Sequence, residues 1–315
     1  MFTFKSVFNN MQMSPVLKAE SLVKSFGEVV AVNDISFEIF RGEIFGFLGP
    51  NGAGKTTTIR MMSGLLKPDS GRIVIEGDHN RFIGICPQHI VIWENLTCLE
   101  QMIYMGQMYD MSNHDAAVRS MELLESLGLT GIKNRLAKKL SGGMQRRLNI
   151  ALALVHSPGI VFLDEPQAGL DPQSRVLVRD YIRSIKNKTT IVLTTHDMEE
   201  AEKLSDRICI IDRGKLLVSG TADEIKKGSG NEDLIEIELE EDARTDFIPF
   251  IDRNVIRLIG IEGDKVKLGI SNPVLSLENV TGIVKNRNLK VKSLRLRQTS
   301  LEDIFINLTG RSLRE

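Results

Sequence analysis

The 315-residue sequence is short of several features, and each shortage removes a class of protein. Its longest stretch free of Asp, Glu, Lys and Arg is the 16-residue run Leu148–Leu163, interrupted by His156-Ser157-Pro158-Gly159, so no segment suits a membrane-spanning helix. Cysteine is scarce. Cys86, Cys98 and Cys209 are odd in number and scattered, which argues against a disulfide framework or a zinc cluster and fits a reducing compartment. Neither sign of charge is in excess, with 40 basic against 41 acidic side chains, so bulk attraction to a polyanion does not drive function. Short repeats and low-complexity tracts are missing. The opening MFTFKSVFNNMQM has one Lys and no apolar core, so it reads as an extension over residues 1–13 and not as a signal peptide. Met11 and Met13 are alternative starts to Met1. What remains, 42% hydrophobic and 26% charged, is the composition of a folded globular protein with room for one large domain or two ordinary ones.

Residues 14–228 alternate short apolar runs with helical stretches, the pattern of an α/β domain. Ile44–Leu48, Val161–Leu163 and Thr190–Leu193 read as strands of a buried parallel sheet. Residues from about 96 to 150 read as a helical insertion, with Ser112 and Asp115 as an N-cap pair and Gly128 ending a helix. Gly228-Ser229-Gly230 reads as a linker, and residues 231–315 change character. There the period-two run Leu234–Glu240 predicts a strand. Val255–Ile261, Val266–Ile270 and Leu289–Leu296 follow as strands, with helices at Val274–Val284 and Ser300–Leu308, a ferredoxin-like α+β module with an added helix.

Three short segments carry chemistry. Gly49-Pro50-Asn51-Gly52-Ala53-Gly54-Lys55-Thr56 fits GxxxxGK[ST] between a predicted strand and a helix beginning near Lys55. Its glycines let successive N–H groups turn toward phosphate oxygens at a helix N-terminus; Lys55 reaches the β and γ phosphates, and the Thr56 hydroxyl suits Mg²⁺. Ile160-Val161-Phe162-Leu163-Asp164-Glu165 is an apolar strand that delivers two carboxylates to a sheet edge. Asp164 suits the Mg²⁺ water shell, and Glu165 suits orienting or deprotonating a water. Leu140-Ser141-Gly142-Gly143-Met144-Gln145 opens another helix with Ser141 as its cap, a second anion-binding terminus where one domain needs a single one.

Taken together, residues 16–227 resemble the ATP-binding subunit of an ATP-binding-cassette (ABC) transporter. The parts stand in that family's order: Phe26, the phosphate loop 49–56, Gln88 in Cys86-Pro87-Gln88, the signature Leu140–Gln145, Asp164-Glu165, the loop Ala168-Gly169-Leu170-Asp171, and His196. The spacings of 33 residues (Lys55 to Gln88), 53 (Gln88 to Ser141), 23 (Ser141 to Asp164) and 31 (Glu165 to His196) suit it too. The resemblance implies a parallel-sheet core, an antiparallel β subdomain and a helical insertion. It implies ATP and Mg²⁺ as ligands, with Phe26 stacking on adenine, although a Phe there also suits a core. Gly49, Asn51, Gly52, Gly54, Lys55, Thr56 and Thr57 would hold phosphate, and Thr56, Gln88 and Asp164 the metal. Glu165, His196, Gln88 and Lys55 would be catalytic. It further implies a homodimer on ATP binding, in which Ser141, Gly142 and Gly143 of one subunit close over the nucleotide of the other.

A membrane permease on a separate chain is the implied partner, at the cytoplasmic face of the membrane, with no nucleic acid. Trp93 is the better candidate for that interface, and Met102, Met105 and Met108 read as core or interface. Thr299-Ser300-Leu301-Glu302-Asp303-Ile304-Phe305 through Arg311 resembles the tail of the daunorubicin-resistance type of drug exporter, which implies outward transport of a drug-like or lipid-like compound. An importer subunit, or a soluble cassette acting on ribosomes or DNA, are the competing readings. Two departures stand out: Gln167 occupies a place where the family usually has Thr, and the link Gly77–Ile83 is short. His79, His89, His114 and His156 share no ligand spacing. In the C-terminal module, Glu236, Glu238 and Glu240 on the first strand should pair with Lys290, Lys292, Arg295 and Arg297 on the last, with a bulge at Ser293 changing phase.

Overall fold

The computed structural model describes residues 15–76, 82–229, 233–240, 256–270, 273–286 and 289–310. The extension 1–13, the alternative starts, most of the short link (Gly77–Arg81, with His79), Gly230 and Arg311 lie outside them. The chain divides into two compact units between Ala222 and Asp223.

In chain order the first unit runs β1 (Pro15–Phe26), β2 (Val29–Phe40), β3 (Ile44–Leu48), α1 (Lys55–Met62), β4 (Ser70–Ile75), β5 (Ile83–Cys86), α2 (Cys98–Met108) and α3 (Asn113–Ser126). It continues through α4 (Gly142–Leu154), β6 (Ile160–Asp164), α5 (Pro172–Ile185), β7 (Thr190–Thr195), α6 (Met198–Leu204), β8 (Arg207–Asp212) and β9 (Lys215–Gly220). A six-stranded sheet of order β5-β6-β7-β3-β8-β9 is parallel except for β9, and an antiparallel sheet of order β2-β1-β4 accompanies it.

The apolar runs of β3, β6 and β7 serve two cores because successive side chains point to opposite faces. Phe45, Phe47, Ile160, Phe162 and Val192 join the core shared with β1, β2 and α1. Ile44, Val161, Leu163, Ile191 and Leu193 join the core shared with α2, α3, α4 and α5. The helical insertion is capped as its sequence requires. The Ser112 hydroxyl accepts from the Asp115 N–H at 3.0 Å, and Gly128 sits past the end of α3 at φ +64°. Because β6, β7 and β3 are neighbours running the same way, residues just past their carboxyl ends come together at one sheet edge.

Ala222–Gly228 forms a helix, α7, whose last residue is the glycine expected to open a linker, and the Ser229 hydroxyl donates to the Lys226 carbonyl at 2.7 Å. Alternating apolar and charged helical residues there are too few to distinguish a short helix from a loop by period. Beyond it the second unit contains β10 (Asp233–Leu239), β11 (Ile256–Glu262), β12 (Lys265–Ile270), α8 (Pro273–Asn286), β13 (Val291–Arg297) and α9 (Leu301–Thr309). Its sheet order β11-β12-β10-β13 makes the first and last strands antiparallel neighbours. Ile235, Ile237, Val266 and Leu268 form its core with Val280 of α8. On the opposite face Glu236 stands between Arg295 and Lys267, and Glu238 between Ser293 and Lys265. The register slips so that Lys292 is the extra residue, one place before Ser293, and it reaches Asp264 at 3.1 Å.

Candidate active site

The phosphate loop leaves β3 through a gap that only glycine fills. At Gly49 a Cβ would meet the Ile211 carbonyl oxygen at 2.1 Å, and at Gly54, φ +104°, it would meet that of Ala31 at 2.4 Å. The loop is therefore clamped between β8 and β2. Gly54 is the N-cap of α1 and no side chain caps it, so the first N–H groups of the helix have no side-chain acceptor. Lys55 is buried, and its Nζ donates to the carbonyls of Gly49 at 2.7 Å and Pro50 at 3.1 Å. Burial lowers its pKa below the ordinary lysine range, and the nearby Glu165 and Asp164 carboxylates oppose that shift. Thr56, Asn51 and Gly52 are exposed, and Thr57 half-buried.

Asp164 and Glu165 end β6 and are both buried. Glu165 adopts a left-handed backbone, φ +51°, which is costly for a side chain with Cβ. Thr194 of β7 helps hold it: its hydroxyl accepts from the Glu165 N–H at 2.9 Å and donates to Asp164 Oδ1 at 2.5 Å. The Glu165 carboxylate lies between two nitrogens, Lys55 Nζ at 3.8 Å and His196 Nδ1 at 3.0 Å. His196 is more than half exposed, so one edge of this cluster faces solvent. A small pocket lined by Glu165, Gln167, Ala168, Arg175, His196 and Asp197 opens beside it. The Gln167 carbonyl accepts from the Leu170 N–H at 3.3 Å, so the unusual side chain leaves this turn intact.

Gln88 follows β5 with its side chain exposed. Its carbonyl is tied by Arg146 of α4, whose buried guanidinium also binds the carbonyls of Pro87, Asp164, Glu165 and Pro166. Sequence reading passed over Arg146. The available signal was two consecutive arginines on a helix otherwise buried from Leu148 onward, which forces one of them inward. Thr194 was missed likewise, as an ordinary strand threonine.

Lys55, Asp164, Glu165 and His196 are thus brought together. Ser141, Gly142 and Gly143 are not. The Ser141 hydroxyl caps α4 by accepting from the Met144 N–H at 3.3 Å, and Gly143 sits beside Leu170, Asp171 and Ser174. Among the described residues no hydrogen bond or ion pair joins these three to residues 49–56. Phe26 is half-exposed at the β1–β2 turn beside the equally exposed Val29 and Val30, an outward apolar tip and not a core position. Of the methionines on α2, Met102 is fully buried, Met105 packs against the core and Met108 is exposed; Trp93 and Tyr104 are exposed and stack edge to face at 5.5 Å. No cluster of His, Cys, Asp and Glu among the described residues could hold a metal by itself. A Thr hydroxyl and one carboxylate suit a Mg²⁺ that takes its remaining ligands from phosphate and water. No helix among the described residues is long and apolar enough to cross a membrane.

The chain is similar to known proteins. Residues 32–168 match the family profile described as "ABC transporter". The chain is 37% identical to the linearmycin resistance ATP-binding protein LnrL of Bacillus subtilis (strain 168), an alignment covering 95% of this chain and 100% of that protein. It is 35% identical to the daunorubicin/doxorubicin resistance ATP-binding protein DrrA of Streptomyces peucetius, covering 96% and 94%. Among solved structures, the ATP-binding subunit of an ABC transporter superposes with a TM-score of 0.64 at 29% identity, covering 68% of this chain and 93% of the other.

Proposed function

The chain belongs to the ATP-binding subunits of ABC transporters and is an ATPase of that class; from this premise we propose that it powers export of a drug-like or lipid-like compound through a permease on another chain. Relatives named for resistance to linearmycin and daunorubicin, matched over nearly their whole length, support the outward direction.

The observation that carries the site reading is the placement of Glu165 between Lys55 and His196 at the end of β6. Residues 49–57 bind the triphosphate, the uncapped terminus of α1 and Lys55 supplying positive charge where negative charge accumulates. Phe26 offers its face to the base. Thr56, Asp164 and Gln88 would hold Mg²⁺, which would draw charge from the phosphoryl oxygens. Glu165 accepts a proton from the attacking water, or orients it, and His196 hydrogen-bonds the terminal phosphate and steadies the Glu165 carboxylate. Among the described residues no hydrogen bond or ion pair joins Ser141–Gly143 to the phosphate loop of the same chain, which supports their serving the nucleotide of a second copy in a head-to-tail homodimer on ATP binding. Hydrolysis removes the shared phosphate and lets the dimer open. The exposed Trp93–Tyr104 pair, following Gln88, is the surface offered to the permease.

The export reading is tested in the native cell. Removing this chain should abolish ATP-dependent efflux of an amphiphilic fluorescent drug. Restoring the wild-type chain should recover it and Glu165→Gln should not. Unchanged efflux without the chain, or ATP-driven uptake, contradicts it.

A further inference from the structure

We infer that Arg146 is a positioning residue for hydrolysis, a single guanidinium that fixes the main chain of Gln88 and Glu165 in one frame. The inference rests on the roles proposed above for those two residues.

Arg146 stands six residues after the start of the signature motif, inside α4, and is 3% exposed. A guanidinium in that position is costly unless every N–H finds an acceptor. All five do, and all five acceptors are main-chain carbonyls at the carboxyl edge of the sheet. Nε donates to Pro166 at 3.3 Å, one terminal nitrogen to Pro87 at 2.8 Å and Gln88 at 2.7 Å, the other to Asp164 at 2.6 Å and Glu165 at 2.5 Å. A side chain that merely filled the core there would be apolar, like its neighbours Leu148, Ile150 and Ala151.

The acceptors come from only two segments, the one carrying Gln88 and the one carrying Glu165. Glu165 also holds a left-handed backbone that persists in a residue with Cβ only where the surroundings over-determine it. Here Arg146 holds its carbonyl and Thr194 its N–H. One turn along α4, Asn149 grips both ends of the Gln88 segment, donating to Cys86 Sγ at 3.2 Å and accepting from the Val91 N–H at 3.2 Å. The helix that presents Ser141 at its N-terminus therefore holds the two hydrolytic segments from its side. A lysine has one nitrogen and cannot span both segments, so the exchange is not conservative here.

The test is steady-state ATP hydrolysis by the full chain with Arg146→Gln and Arg146→Lys, each also combined with Glu165→Gln. Both single variants should lower kcat by tenfold or more, with KM and the measured Kd for ATP within about twofold of wild type. In the Glu165→Gln background each should lower the residual rate by a clearly smaller factor, because one of the two residues through which Arg146 acts is already disabled. An equal fold-loss in both backgrounds, a rise in KM and Kd that accounts for the loss, or an unchanged kcat overturns the inference and leaves the role of Glu165 standing. Should Arg146→Gln fail to fold, Arg146→Lys, which keeps the charge and most of the volume, decides in the same cycle. A wild-type rate for Glu165→Gln alone contradicts the role of Glu165, and this inference falls with it.

Discussion

Cys86 illustrates how far a single side chain can be read. It lies at the end of β5, fully buried, and burial pushes its thiol from 9.0 up to about 11 despite the opposing influence of Arg146 and of the hydrogen bond from Asn149. The folded value lies above the unfolded one, so the folded chain keeps the proton longer. Its contribution to stability is fully present below pH 9 and is lost as pH rises through about 11. At about 1.4 kcal/mol per unit the loss approaches roughly 3 kcal/mol. Urea denaturation at pH 8.5 and 10.5 should therefore show a smaller fall in stability for Cys86→Ala than for wild type; equal falls contradict this account. The thiol was visible in the sequence and its burial was not, because Cys86 was read only as the residue opening Cys86-Pro87-Gln88. Arg146 was hidden for the converse reason: an arginine is taken for surface, and only the saturation of its five donors explains its burial. Lys55, Asp164, Glu165 and His196 were legible because motif spacing survives without knowledge of packing.

At the scale of elements, the buried strands announced themselves. Ile44–Leu48 is a continuous apolar run because both faces of β3 are covered, and its bounds were readable to the residue. The α7 helix was not, since Gly228 signals a break more strongly than seven residues signal a period. In the second unit the expected ferredoxin-like order made β10 and β13 neighbours, and Lys290 reaches Glu240 while Arg295 stands opposite Glu236, but Lys292 pairs with Asp264 and Arg297 with Asp303, and the slip lay one residue from the expected Ser293. The row Arg295–Glu236–Lys267 puts one carboxylate between two cations. Each cross-strand pair contributes about 0.2–1 kcal/mol. Glu236→Lys should thus destabilise the chain by about 1 kcal/mol or somewhat more, and Glu236→Gln by less, measured by thermal unfolding in low salt. Adding 0.5 M NaCl should narrow the difference, and a salt-independent loss would point to packing instead.

For the whole molecule, the parts divide between what one chain completes and what it leaves open. The phosphate loop, Asp164, Glu165 and His196 meet within one unit, whereas among the described residues no hydrogen bond or ion pair joins Ser141–Gly143 to that cluster. A helix terminus folded away from the chain's own phosphate site fits the proposed completion of that site by another copy, a proposal the sequence prompted by carrying two such termini. The absence of a long apolar run, which at first only narrowed the choices, fits a motor whose membrane path lies elsewhere.

The central claim is that Glu165 is the group on which hydrolysis depends and that ATP holds two copies together until it acts. The most direct measurement is the oligomeric state of the full-length Glu165→Gln chain with Mg²⁺ and ATP, read by light scattering alongside its hydrolysis rate. The account predicts a rate at least a hundredfold below wild type and a stable dimer that contains ATP and dissociates when ATP is withdrawn. A wild-type rate, or a monomer saturated with ATP, would contradict it.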